Sequence, residues 1–62
     1  MALFKILLVD DDISLLKLLS IRLKSSGYDI ETAENAHQAL ARLAIFQPHL
    51  VITDLRMGEM NG

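Results

Sequence analysis

Three consecutive aspartates, Asp10, Asp11 and Asp12, follow the apolar run Ile6-Leu7-Leu8-Val9, and a solitary aspartate, Asp54, follows a second run, Leu50-Val51-Ile52-Thr53. Carboxylates brought together at neighbouring strand ends repel one another, and a divalent cation relieves that repulsion. The chain has no cysteine and no histidine next to these aspartates, and an all-oxygen donor set suits Mg²⁺, which keeps several waters and takes one or two carboxylates together with a phosphate. An aspartate beside Mg²⁺ can attack phosphorus and become an aspartyl phosphate. The chemistry these residues point to is phosphoryl transfer. Asp12 also has a simpler use, as the cap of the helix that follows.

The elements that must position these residues follow from patterning. Leu3 to Val9 is an almost continuous apolar run, as expected of a strand covered on both faces. Ile13 to Ser25 fits a helix with a broad buried stripe through Leu16, Leu19 and Leu23, ended by Gly27. Tyr28 to Ala33 alternates, with Ile30 and Thr32 on one face of a short strand. Asn35 caps a second helix, whose stripe of Ala36, Ala39, Leu40, Leu43 and Ala44 reads as core and which Pro48 prevents from running much past Phe46. His49 to Thr53 reads as a third, buried strand, and Leu55 to Gly62 as a loop.

The pattern is α/β: a βαβαβ unit with right-handed crossovers, half of a doubly wound, flavodoxin-like parallel sheet. With strand order 2-1-3, the carboxyl ends of the first and third strands form the crevice where such sheets bind ligands, and Asp10, Asp11, Asp12 and Asp54 sit there.

At 62 residues the chain holds one domain at most, and a domain that small buries only about 60% of the surface its unfolded form exposes. Net charge is -2, without the clustered Lys and Arg of a nucleic-acid interface. The six basic residues are scattered, and Lys17, Arg22, Lys24 and Arg42 fit solvated helix faces. No stretch is long enough to span a membrane and no signal peptide opens the chain, so a cytoplasmic location is expected. A dinucleotide or P-loop site is unsupported, because no Gly-rich loop follows the first strand. His37 and His49 read as surface or boundary histidines.

The strings Ile6 to Asp12 and Leu50-Val51-Ile52-Thr53-Asp54-Leu55-Arg56-Met57, ending in Gly62, resemble the first half of a bacterial response-regulator receiver domain. Asp54-Leu55-Arg56-Met57 is similar to receivers of enhancer-binding transcription activators. The resemblance covers the whole chain and implies one truncated receiver over residues 1–62, without a linker. It implies that Asp54 is the phosphoacceptor, that Asp11 binds Mg²⁺ directly and Asp10 mainly through water, and that the backbone carbonyl of Arg56 completes the protein ligands. It implies a histidine kinase as phosphodonor and a signalling module rather than an enzyme. Gly58 stands where the family usually has Pro. Family members run to about twice this length, and their later hydroxyl, lysine and aromatic switch residues have no counterpart here. Transfer and switching are therefore expected to be weak.

A second reading is a self-associating half-domain with a structural role, a homodimer through the third strand or the exposed sheet faces. An independent aspartate-nucleophile phosphohydrolase is disfavoured, because Arg56 stands where its second acid is needed.

Overall fold

The computed structural model describes residues 3–53. Five elements alternate: β1 (Lys5–Val9), α1 (Ile13–Ser25), β2 (Asp29–Ala33), α2 (Ala36–Phe46) and β3 (Leu50–Thr53). The strands form one parallel sheet of order β2-β1-β3. The chain steps one way from β1 to β2 and the other way from β2 to β3, so crossovers of one hand put the two helices on opposite faces. The packing agrees. Ile6, Leu8 and Ile30 meet Leu16 of α1, with Leu19 and Leu23 partly buried against them. Leu7, Val9 and Ala33 meet Ala39 of α2 on the other side.

Both helices start on side-chain caps. Asp12 Oδ1 accepts from the Leu15 backbone N–H at 3.1 Å, and Asn35 Oδ1 accepts from Gln38 N–H at 2.8 Å. The Gln38 side-chain oxygen reaches back to the Glu34 N–H at 2.9 Å, a reciprocal arrangement that satisfies two amides at the helix entrance. The end of α1 is a Schellman motif: Gly27 N–H donates to Lys24 O at 2.9 Å and Tyr28 N–H to Leu23 O at 3.2 Å. Gly27 takes φ +99° there, a conformation glycine adopts without a steric penalty.

The end of α2 is made without glycine, since Gln47 holds the left-handed conformation at φ 52°. Gln47→Gly is therefore expected to stabilise the chain by about 0.5–1 kcal/mol, and Gly27→Ala to destabilise it by about 1 kcal/mol or more. Urea midpoints of the two variants check both signs.

Three strand starts fall later in the chain than the sequence pattern suggests. Leu3 and Phe4 precede β1, although the Phe4 carbonyl accepts from Asp29 N–H at 3.0 Å. Tyr28 precedes β2 because its N–H is engaged in closing α1. His49 precedes β3, and its ring takes over a ladder position: Lys5 N–H donates to His49 Nδ1 at 2.9 Å, while His49 N–H donates to Lys5 O at 2.9 Å.

Two burial expectations are corrected. β3 reads as a buried strand, yet Leu50, Val51 and Ile52 are each more than 40% exposed. Each helix lies over β1 and β2, so among the described elements β3 packs on β1 alone. The α2 stripe is not core either: Ala39 is half-buried, Leu43 is exposed and Leu40 is 67% exposed. Its alanines are short, and among the described elements α2 packs on β1 and β2 and not on β3. An apolar cleft flanks β3 on each face, about 210 Å³ beside Leu15, Leu19 and Ile52, and about 260 Å³ beside Ala39, Leu40 and Val51.

Candidate functional site

Asp10 is the one buried charged residue among those described, at 6% exposure. β1 delivers it to the carboxyl end of the sheet, where its N–H donates to Ala33 O at 3.1 Å and extends the β1–β2 ladder by one step. Burial of a carboxylate is unfavourable unless hydrogen bonds replace water. Here Oδ1 accepts from the Asp12 N–H at 2.8 Å, an Asx-type turn that folds the backbone towards α1. The positive end of the α1 dipole adds to the stabilisation of negative charge at this corner.

The three neighbouring aspartates thus have different uses. Asp10 is buried and held by a backbone amide. Asp12 turns into α1 as its cap, with its own carbonyl accepting from Leu16 N–H at 3.0 Å. Asp11 is exposed. In the β1–β3 register Val9 is the partner of Thr53, and these are the residues that immediately precede Asp10 and Asp54 in the sequence. Asp54, Arg56, Met57 and Gly62 lie outside the described residues. Among the described residues, no group of three or more His, Cys, Asp or Glu side chains is arranged to hold a metal ion. Asp10 and Asp11 present carboxylate oxygens at this end of the sheet, the donor type that suits Mg²⁺.

The histidines stand apart from this corner. His37 is exposed in the first turn of α2, and His49 lies at the opposite, amino end of the sheet. That amino end carries an arrangement the sequence did not announce. Lys5 Nζ donates to the Phe46 carbonyl at 3.1 Å, at the end of α2, and lies 5.4 Å from the Phe46 ring centroid. A cation there complements the helix dipole. His49 stacks on Phe4 with centroids 5.0 Å apart, and Tyr28 meets Phe4 edge-on at 6.0 Å. Arg42, read as a solvated residue, donates Nε–H to the Thr32 carbonyl on β2 at 2.6 Å. None of these contacts has a local signal, because the partners come together only in the fold.

The family described as the response regulator receiver domain matches residues 6–62. The transcriptional regulatory protein GlrR of Escherichia coli K12 is 54% identical over 57 residues, covering 92% of this chain and 13% of the relative. The CpxR homolog of Haemophilus influenzae is 48% identical over 58 residues, 94% of this chain and 25% of the relative. The alkaline phosphatase synthesis transcriptional regulatory protein PhoP of Bacillus subtilis is 38% identical over 58 residues, 94% and 24% respectively. The chain thus spans between an eighth and a quarter of the length of these relatives. No solved structure matches it.

Proposed function

This chain belongs to the response regulator receiver family of two-component signalling, and from that premise we propose that it carries the phosphoacceptor Asp54 and a Mg²⁺ site that serves it. The carrying observation is the buried Asp10 at the carboxyl end of β1, fixed by the Asp12 amide beside the end of β3. Its Oδ1 is engaged by that amide and Asp12 is engaged as a cap, which supports Asp11 as the carboxylate that contacts the metal directly. Asp10 acts mainly through water, and Asp54 with the Arg56 carbonyl completes the set. Bound Mg²⁺ supplies neutralisation of charge on phosphoryl oxygens. Asp54 supplies the nucleophile: its carboxylate oxygen bonds to phosphorus as the bond from phosphorus to the donor's nitrogen breaks.

The donor is a histidine kinase, and the parent protein regulates transcription as its relatives' names state. This segment itself makes no contact with nucleic acid and works in the cytoplasm. Among the described residues no helix is long and apolar enough to cross a membrane.

A Mg²⁺ titration followed by amide chemical shifts tests the site. The wild-type chain is expected to bind weakly, on the order of millimolar, with shifts concentrated at Asp10 and Asp11. Asp11→Ala is expected to lose this response. Asp12→Ala should keep it while destabilising α1 by about 1 kcal/mol. Unchanged Mg²⁺ binding by Asp11→Ala would overturn the assignment.

A further inference from the structure

Lys5 commits its backbone and its side chain to one stretch of the chain. Its N–H donates to His49 Nδ1 at 2.9 Å, its carbonyl accepts from His49 N–H at 2.9 Å, and its Nζ donates to the Phe46 carbonyl at 3.1 Å. Both ends of the turn from α2 to β3 are thus held to the first residue of β1. In a regular parallel ladder the Lys5 N–H would meet a backbone carbonyl. The chain leaves α2 there through the left-handed Gln47, and the His49 ring supplies the acceptor.

A ring nitrogen differs from a carbonyl in one respect: it can take up a proton. Nδ1 accepts only in the neutral imidazole that carries its hydrogen on Nε2, and in the imidazolium both nitrogens are donors. Protonation therefore sets two N–H groups against each other and breaks the bond. Among the described residues nothing offsets that loss. On β1 the neighbouring charge is Lys5, itself a cation, and Phe4 stacks on the ring in a contact open to both protonation states. On β2, Tyr28 meets Phe4 edge-on, and Asp29 pairs with Lys5 from the side of β1 away from β3. Two strand spacings, about 10 Å, separate it from His49, a distance at which salt screens the attraction. At the end of α2 the Phe46 carbonyl is already taken by Lys5 Nζ.

We propose that His49 is a proton-operated clasp: neutral, it closes the turn from α2 to β3 onto β1, and protonated, it releases the Lys5 amide and loosens the amino end of β3. The closed state holds fewer protons than the opened one, so closure is favoured as pH rises. It is lost as pH falls below about 6.5, where an unconstrained imidazole titrates. A single proton changes the opening equilibrium by at most about tenfold per pH unit.

Hydrogen exchange of the whole chain, corrected for the intrinsic effect of pH on exchange, tests the clasp. Protection of the Lys5 amide is expected to fall about three- to tenfold between about pH 7.5 and 5.5, while protection at Leu8, buried in the central strand, is unchanged. His49→Asn keeps an acceptor, Oδ1, that acid does not protonate, so Lys5 stays protected at both pH values. His49→Ala lacks the acceptor and loses protection at both. His37→Gln, at an exposed site in the first turn of α2, keeps the wild-type response. Long-range nitrogen–proton spectra of the wild type at about pH 7.5 are expected to show His49 protonated on Nε2 alone. A pH step that persists in His49→Asn, is absent from wild type, is equal at Leu8 or disappears in His37→Gln overturns the proposal, as does a proton on Nδ1. If the variants do not fold, the wild type decides: the His49 ring and the Lys5 amide shift are expected to titrate with one midpoint, and separate midpoints reject the clasp.

Discussion

Leu7→Ala is expected to leave the chain largely unfolded at 25 °C. Leu7 is fully buried in the middle of the central strand, between Glu31 of β2 and Val51 of β3. On the α2 face it is clustered with Val9 and Ala33, against which Ala39 packs. A buried leucine replaced by alanine costs about 2–5 kcal/mol. A domain of this length has a total stability of roughly 3–9 kcal/mol at typical values per residue, and one with exposed flanks belongs at the lower end. Leu40→Ala provides the contrast, since Leu40 is 67% exposed, and a change within about 0.5 kcal/mol is expected. Urea titrations followed by circular dichroism compare them. A Leu7→Ala variant that stays cooperative and loses less than about 1 kcal/mol would mean that the α2 face contributes little to the fold.

The other large effect is chemical. Asp54→Asn is expected to abolish acceptor activity, because an amide cannot form the acyl phosphate that a carboxylate forms. With a radiolabelled acyl phosphate and Mg²⁺, the wild-type chain is expected to take up label in a hydroxylamine-sensitive form. Asp54→Asn takes up none, and Asp11→Ala is slowed by about tenfold or more through loss of the metal contact. Chelation of Mg²⁺ should match the Asp11→Ala result. Label retained at another residue in Asp54→Asn would relocate the acceptor.

Much of this architecture is legible in the chain because its signals are local. Asp12 and Asn35 mark the helix starts, and Gly27 ends α1 through a conformation that favours glycine. The order β2-β1-β3 is the one expected of a doubly wound sheet and implied by the resemblance to receivers. Hidden from sequence are the features that depend on what lies opposite. The apolar run of β3 and the Leu40 stripe look like core, since hydrophobicity records the tendency to be covered and not whether a cover is present. Lys5 looks like an ordinary strand lysine until α2 ends above it, and His49 looks incidental until its ring accepts the Lys5 amide. At the candidate site, the acidic triplet and the capping use of Asp12 are visible at once, but the division of the other two into a buried Asp10 and an exposed Asp11 emerges only from the turn after β1.

The central place of β1 has a kinetic consequence. β1 is the first of the described strands, yet it is the one to which β2 and β3 both attach, and the Lys5–His49 hydrogen bond joins residues 44 positions apart. The helices can flicker into existence within about a microsecond, but the sheet nucleates only after loop closure brings β1 to β2 and then to β3, with an entropy that no local turn offsets. During synthesis β1 must therefore wait, uncovered, until β2 and β3 have emerged. Substitutions in β1 should act chiefly on the rate of folding.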